Sequence, residues 1–138
     1  MLQGAIQVTS FDMDRLFAMI EQLRKNGFPE QENLNRLENE LARSEEVAPE
    51  QVAEGVVTMN SRVLLRDEAN GQEMQCTLVF PVDADASTNH ISVVAPLGTA
   101  ILGYRVGDVI DWNMPGGVRQ YKILRVDYQP EAAGDFHL

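Results

Sequence analysis

The hydrophobic period of the chain changes near residue 55, and this change constrains the fold more than any other feature. Between Thr9 and Glu46, apolar residues recur every three or four positions, as on one face of a helix. From Val56 onward, apolar and polar residues alternate, as on strands buried on one face. The chain has 138 residues, 44% of them hydrophobic, which is enough to bury a core. The sequence therefore predicts an α+β protein with an N-terminal helical part, residues 1–53, and a C-terminal sheet domain, residues 54–138.

The N-terminal part is predicted to be a short antiparallel helical hairpin with coiled-coil spacing. Its first helix spans residues 9–25, and Thr9 with Asp12 resembles a capping box at its start. Asn26-Gly27 is a helix stop, and a second helix begins at Pro29 and runs to about residue 46. Arms of roughly 15 to 18 residues reach only about 22 to 27 Å. The apolar positions expected on the inner faces are Met13, Leu16, Phe17, Ile20, Leu23, Leu34, Leu37 and Leu41.

The C-terminal part is predicted to be an antiparallel sheet curled against one short helix. Asn70-Gly71 lies between two alternating segments and predicts a hairpin with a type I′ turn. The short segment Pro96 to Leu102 opens with proline and is followed by Gly103, which indicates a helix of about two turns. The predicted strands are Arg62–Asp67, Gln72–Phe80, Ile91–Ala95, Val109–Met114 and Val118–Tyr128, the last two joined over Pro115-Gly116-Gly117.

Composition and charge exclude several classes of function. The net charge is -10, with 21 acidic and 11 basic residues, so direct binding of nucleic acid is not expected. The single cysteine, Cys76, excludes an internal disulfide and a zinc ribbon and is expected in the core. No apolar run approaches the about 20 residues that span a membrane, and the N-terminus lacks a signal peptide. We expect a cytoplasmic monomer that does not associate with membranes.

The segment GTAILGYRVGDVIDWNMPGG, residues 98–117, holds five of the 10 glycines in the chain. A phosphate cradle needs glycines between a strand and a helix N-terminus, where backbone N–H groups converge. Here the glycines fall in the first turn of the predicted helix, after its end, before a strand and in a hairpin. The run therefore predicts turns and helix ends, not a nucleotide site.

The sequence predicts no cofactor, no metal site and no catalytic residue. The loop from Asp83 to Asn89 begins like a calcium loop, but Thr88 stands where the sharp turn needs Gly and Val94 where Glu is needed. His90 and His137 have no ligand partners at metal spacing.

The predicted hairpin tip, residues 26–32, exposes Glu30 and Glu32 near a helix N-terminus, where the helix dipole favours carboxylates. That placement explains both residues. Binding of a divalent cation presented by a partner is the alternative.

Two segments of the C-terminal half resemble a known family. They are APLGTAILGYRVGD, residues 95–108, and MPGGVRQYKILRV, residues 114–126, and they look like the C-terminal domain of the Gre transcript-cleavage factors. Together with VVTMNSRV, residues 56–63, and the ending YQPEAAGD, residues 128–135, they are more similar to the regulator of nucleoside diphosphate kinase family, Rnk.

The resemblance implies an FKBP-like C-terminal domain and a coiled-coil N-terminal domain that docks at the secondary channel of bacterial RNA polymerase. In Gre factors a long coiled coil carries two acidic residues, in a G-D-x-x-E-N pattern, to the polymerase active site. Counted from Gly27, this chain has Phe28 at the Asp position, Gln31 at the Glu position and Glu32 at the Asn position. The acidic residues needed for cleavage are therefore not carried over.

The resemblance also implies a contact with the polymerase at the start of the helix in the C-terminal domain. The family's Ser-Pro pair corresponds to Ala95-Pro96, and Ala95, Pro96 and Leu97 are the expected polymerase-binding residues. Proline at the first helical position also has a purely structural explanation, because its fixed φ suits a helix start.

These residues lead to one main hypothesis and two alternatives. The main hypothesis is a non-enzymatic transcription regulator that binds RNA polymerase at the secondary channel and competes with Gre factors without stimulating cleavage. One alternative is an active cleavage factor in which Glu30 and Glu32 replace the missing tip acids. The other is a protein that regulates nucleoside diphosphate kinase directly, although the family name is equally consistent with an indirect effect.

Overall fold

The computed structural model describes residues 6–114 and 116–138, and these form the α+β fold that the sequence predicts. The helices are α1 (Ser10–Lys25), α2 (Gln31–Ala42), α3 (Pro96–Ile101) and α4 (Pro130–Ala133). The strands are β1 (Gln7–Thr9), β2 (Glu45–Val47), β3 (Arg62–Asp67), β4 (Glu73–Val79), β5 (His90–Ser92), β6 (Val109–Met114) and β7 (Gly117–Tyr128). None of the helices in these two ranges is long and apolar enough to cross a membrane.

The helical hairpin is present, and its second helix is shorter than predicted. The prediction that Phe17 lies on the inner face is wrong, because its side chain is 39% exposed. Thr9 Oγ1 accepts a hydrogen bond from the Asp12 N–H at 3.1 Å, which confirms the predicted cap of α1. The prediction that the second helix continues to residue 46 is wrong, because residues 45–47 form β2 and pair in parallel with β1. The Glu45 N–H donates a hydrogen bond to the Ile6 carbonyl at 2.7 Å. The backbone at Glu45 therefore pairs with the N-terminal segment and does not continue the helix.

The main sheet has five strands in the order β5-β4-β3-β7-β6. Its pairs are antiparallel except for β4 and β5, which run parallel. The predicted antiparallel sheet is therefore present, with one parallel pair at this edge. Two 3-10 turns, Pro81–Asp83 and Ala86–Thr88, carry the chain back along the sheet before β5 begins. The strand predicted over Ile91–Ala95 accordingly lies earlier, at His90–Ser92.

The β3–β4 hairpin lies where Asn70-Gly71 predicts it, but its turn is not type I′. Of that pair Gly71 has a positive φ, 74°, whereas a type I′ turn needs positive φ at both residues. The Asp67 carboxylate accepts from the Ala69 N–H at 2.9 Å, and the Asp67 carbonyl accepts from the Gly71 N–H at 2.8 Å. Asp67 therefore organises a wider turn. Pro115, in the predicted β6–β7 turn, lies outside the described residues.

One continuous core joins the hairpin to the sheet. Leu34, Leu37 and Leu41 of α2 are at most 2% exposed and belong to the same buried cluster as Val63 and Ile123 of the sheet. Helix α3 lies between the two parts, since it contacts both α2 and β6. The hairpin therefore packs onto the sheet and helix α3. Cys76 is 1% exposed, which confirms its predicted place in the core.

Two glycines of the 98–117 run have structural roles. A β carbon on Gly98 would lie 2.1 Å from the Ser92 carbonyl oxygen, so α3 approaches the preceding backbone more closely than any side chain allows. Gly103 has φ +83° just after α3 and packs against Ile6. Both positions support the prediction that this run shapes the fold.

Candidate functional site

The hairpin tip is a compact turn between α1 and α2. Gly27 has φ +76°, which glycine adopts easily, and its N–H donates to the Arg24 carbonyl at 3.2 Å. The Phe28 N–H donates to the Leu23 carbonyl at 3.0 Å, and the half-buried Phe28 ring packs against the core. Phe28 thus covers the end of the apolar seam between the helices.

The predicted tip acids lie on the surface at the start of α2. Glu30 is the residue before the helix and makes no side-chain capping bond, and Glu32 is in the first turn. Both side chains are exposed. Within residues 6–114 and 116–138, no group of three or more His, Cys, Asp or Glu side chains is placed to hold a metal ion.

The predicted polymerase-binding residues form the N-terminus of α3. Ala95 has the extended backbone of a cap residue, φ -65° and ψ 149°, and Pro96 follows at the first helical position. Both are half-buried, whereas Leu97 is 4% exposed and belongs to the core. The surface at this point is therefore made by Ala95 and Pro96, and Leu97 supports them from below.

The base of α1 is joined to the sheet domain by a buried carboxylate that sequence reasoning missed. Asp12 is 0% exposed and accepts hydrogen bonds from the Met59 N–H at 3.1 Å and from the Arg15 guanidinium at 2.5 Å. Burial raises the pKa of Asp12, and these two bonds oppose that rise. The sequence predicts Asp12 only as half of a capping box, because no local pattern signals a partner 47 positions away.

Arg15 extends this junction to the end of the described chain. Its guanidinium donates to the Leu138 backbone oxygen at 2.9 Å. It also lies 3.9 Å from the centroid of the Phe11 ring and 4.8 Å from that of the Phe80 ring, where cation–π attraction is favourable. Arg15 thus connects α1 with the end of β4 and with the C-terminal segment.

A second buried carboxylate lies close to this junction. Glu131 in α4 is 9% exposed and accepts a hydrogen bond from Thr58 Oγ1 at 2.7 Å. Thr58 Oγ1 lies 2.8 Å from Ser61 Oγ. Burial raises the pKa of Glu131, and the charge of Asp12 adds to the rise. The carboxylates are thus held by backbone and hydroxyl donors inside the protein.

The two helices are also joined to each other and to the sheet domain by arginines. Arg24 of α1 donates to both oxygens of Glu38 in α2, at 3.1 and 2.9 Å. Arg43, just after α2, donates to the Tyr104 hydroxyl at 2.7 Å and to the Glu40 carboxylate at 2.6 and 2.9 Å. Of these contacts, the bond from Arg43 to Tyr104 ties the end of α2 to the sheet domain.

Comparisons with known proteins cover both halves of the chain. The family model for the C-terminal domain of the transcription elongation factors GreA and GreB matches residues 52–128, and the model for the Rnk N-terminus matches residues 5–47. The regulator of nucleoside diphosphate kinase of Escherichia coli (strain K12) is 42% identical over 139 residues, which is 100% of both chains.

Relatives named as elongation factors are also found. The transcription elongation factor GreA of Chelativorans sp. (strain BNC1) is 35% identical over 95 residues, which is 69% of this chain and 60% of that protein. The solved structure of a prokaryotic transcription elongation factor GreA/GreB from Nitrosomonas europaea has 43% sequence identity and a TM-score of 0.74, and it covers 91% of this chain and 100% of that one. The chain therefore belongs to the Rnk family, and its C-terminal part is of the GreA/GreB type.

Proposed function

We propose that this member of the Rnk family is a non-enzymatic regulator that binds bacterial RNA polymerase at its secondary channel. There it competes with Gre-type factors and does not stimulate transcript cleavage. Its relatives named as elongation factors support the broad class, a transcription-elongation-factor-like regulator. The FKBP-like character of the sheet domain, its boundary at residue 54 and the monomeric state belong to the same proposal.

The hairpin tip is the observation that carries the proposal. Phe28 stands where the Gre pattern has an acidic residue, and its ring packs against the core. Helix α1 has 16 residues, and at about 1.5 Å per residue it is about 24 Å long. Part of that length is packed against the sheet domain through Asp12 and Arg15. A hairpin of this kind suits occupation of a channel mouth better than delivery of carboxylates to a distant active site.

The first test is displacement of a GreA protein from bacterial RNA polymerase, with RNA cleavage in backtracked complexes read in the same samples. We expect displacement together with loss of GreA-stimulated cleavage. Absence of polymerase binding would contradict the proposal.

The contact at α3 is tested with Pro96→Glu. A charged side chain here disturbs the proposed apolar contact, and an acidic residue in the first turn remains compatible with the helix dipole. Pro81→Glu is the matched control, because Pro81 is also a half-buried proline in the first turn of a short helical segment. Loss of polymerase binding should be confined to Pro96→Glu; equal loss in both variants would exclude a specific contact at α3.

Substitution of Glu30 and Glu32 distinguishes a competitor of Gre factors from an active cleavage factor. In the cleavage-factor alternative, this protein stimulates magnesium-dependent cleavage, and Glu30→Gln with Glu32→Gln abolishes it. Glu50→Gln with Glu54→Gln removes the same charge from two exposed residues away from the tip and is the control. We expect no cleavage with any of these proteins.

A direct effect on nucleoside diphosphate kinase is the second candidate function, because the full-length relative at 42% identity carries that name. It predicts that the two purified proteins bind each other and that kinase activity changes in the absence of polymerase. If the protein binds the polymerase but neither binds the kinase nor changes its activity, the link to the kinase would be an indirect one through gene expression.

A further inference from the structure

The outer face of the sheet carries a row of polar side chains that crosses four strands. Arg62 of β3 lies opposite Tyr128 of β7 on one side and Thr77 of β4 on the other, and Thr77 lies opposite His90 of β5. Directly opposite residues point to the same face, with β carbons about 5 Å apart. The neighbouring residue Val63 is buried on the inner face, so this row lies on the side away from the core.

The row lines an open cleft with a volume of about 390 Å³, within the range of small-molecule sites, about 300 to 1,000 Å³. Asn60 and Asn89 also line it. They are the two non-glycine residues with positive φ in the described chain, at 66° and 56°. Asparagine tolerates this conformation better than most residues. Neither side-chain amide hydrogen-bonds another residue in the described part of the chain.

The cleft has a cationic end. Arg62 is exposed and forms no salt bridge or side-chain hydrogen bond with any residue that the structure describes. The nearby Asp127 carboxylate already accepts hydrogen bonds from Arg125 and from Gln75. The hydrogen bond from Arg125 lowers the pKa of Asp127, and the charge of Arg62 adds to this effect, but the Arg62 guanidinium donates no hydrogen bond to that carboxylate and keeps its donors available. By the strand register the same face carries Arg62, Arg66, Lys122 and Arg125 together with Glu73. Arg66 pairs with Glu68 and Arg125 with Asp127, whereas Arg62 has no such pair among the described residues.

The opposite end is acidic. A second cleft shares Asn60, Thr77 and His90 with the first and is lined further on by Asp83 and Asp85. The groove thus offers cationic and amide donors at one end and carboxylate acceptors at the other. A ligand that matches it has an anionic group and, several ångströms away, hydroxyl or amino donors.

We propose that this groove binds a nucleoside phosphate. The phosphate oxygens accept hydrogen bonds from Arg62, because a guanidinium is a suitable donor to a phosphate. His90 lines the groove with its Nδ1 already held by Thr88, 2.8 Å from Thr88 Oγ1. Asn60 and Asn89 supply amide donors and acceptors that suit base edges or phosphate oxygens. Ribose hydroxyls donate to the carboxylate end, as they do to acidic residues in dinucleotide sites. The site is built by the sheet, not by the glycine run, and it does not depend on polymerase binding.

The test is a titration of the full chain with GDP, followed by ¹H–¹⁵N NMR. We expect saturable shifts of the backbone amide signals of Asn60, Arg62 and Asn89. Pyrophosphate alone and guanosine alone should each bind more weakly than GDP. Absence of saturable shifts at millimolar GDP would overturn the proposal. Equal affinity for GDP and pyrophosphate would overturn the role of the nucleoside, and equal affinity for GDP and guanosine that of the phosphate.

Two variants connect the shifts to the groove. Arg62→Gln should weaken GDP binding about tenfold or more, because a charge-assisted hydrogen bond is lost. Asn60→Gly should also weaken it, and glycine accepts positive φ without strain, so the fold is retained. Arg66→Gln is the control, since Arg66 lies on the same face of β3 but does not line the groove and pairs with Glu68. Unchanged affinity in Arg62→Gln, or an equal loss in Arg66→Gln, would refute the site.

Discussion

Replacement of Leu37 by alanine should destabilise the sheet as well as the helical hairpin. The Leu37 side chain is 0% exposed and lies in the same core as Val63 and Ile123. Removal of three buried carbons at about 0.8 kcal/mol each costs about 2.4 kcal/mol in transfer free energy. The cavity left behind raises the loss of unfolding free energy to about 3 to 5 kcal/mol. With an m-value of about 2 kcal/mol/M, the urea midpoint should fall by about 1.5 to 2.5 M.

Two spectroscopic probes follow the two parts of the protein separately. Trp112, the single tryptophan, lies in β6 with its ring centroid 5.4 Å from that of Tyr121, so its fluorescence reports the sheet. Circular dichroism at the helical band reports mainly α1 and α2. We expect both signals to shift by the same amount in Leu37→Ala. Phe17→Ala is the control, because Phe17 is 39% exposed on α1 and its loss should cost about 1 kcal/mol or less.

A shared core would be refuted if the helical signal moved to lower urea while the Trp112 transition stayed in place. That result would make the hairpin a separate cooperative unit, in conflict with the shared core. A loss of stability as small as that of Phe17→Ala would equally contradict the burial of Leu37.

Three further outcomes are expected from single residues. Gly98→Ala should lower the thermal midpoint strongly, because the new β carbon would lie 2.1 Å from a backbone oxygen of Ser92; a midpoint near that of the wild type would contradict the close approach. Burial raises the pKa of Cys76 to about 11, so a thiol reagent at pH 8 should modify it only at the rate of unfolding, and rapid modification of the native protein would count against burial. The raised pKa of Glu131 contributes stability that is fully present below its ordinary value of 4.5 and is lost as pH rises through the folded-state value. Above pH 4.5 the urea midpoint of the wild type should therefore decline relative to that of Glu131→Gln. The amide oxygen of this variant can still accept a hydrogen bond from Thr58. Parallel pH profiles of the two proteins would disprove this expectation.

Local sequence signals predicted most of the elements but not the contacts between them. Thr9 and Gly27 mark the ends of α1 because caps and positive-φ positions act within a few residues. The pairing of β1 with β2 joins residues 38 positions apart and involves three residues on each strand, too short for a periodic signal. The pairing of β1 with β2 ends α2 early, because the backbone groups of β2 hydrogen-bond to the N-terminal segment and cannot form a further helical turn.

The candidate sites differ in the same way. The hairpin tip and the start of α3 are contiguous in sequence, so residues such as Phe28 and Pro96 could be named before the structure was known. The polar groove brings together residues from four strands, and its row from Tyr128 to His90 depends on the register of three strand pairs. A one-residue shift in any pair would turn one of these side chains to the other face. No local pattern contains that register.

The packing of α2 on α3 gives the proposed competitor a mechanism that needs no long coiled coil. Helix α3 begins with the proposed polymerase contact at Pro96, and α2 leads from the tip residue Glu30 toward the same region of the core. Arg43 and its bond to Tyr104 hold the far end of α2 to the sheet domain. Once Pro96 is seated on a partner, the position of the tip is therefore determined. A tip held in this way obstructs a channel by its volume. Tyr104→Phe removes the bond from Arg43 but leaves Pro96 in place. It should therefore weaken inhibition of GreA more than it weakens polymerase binding.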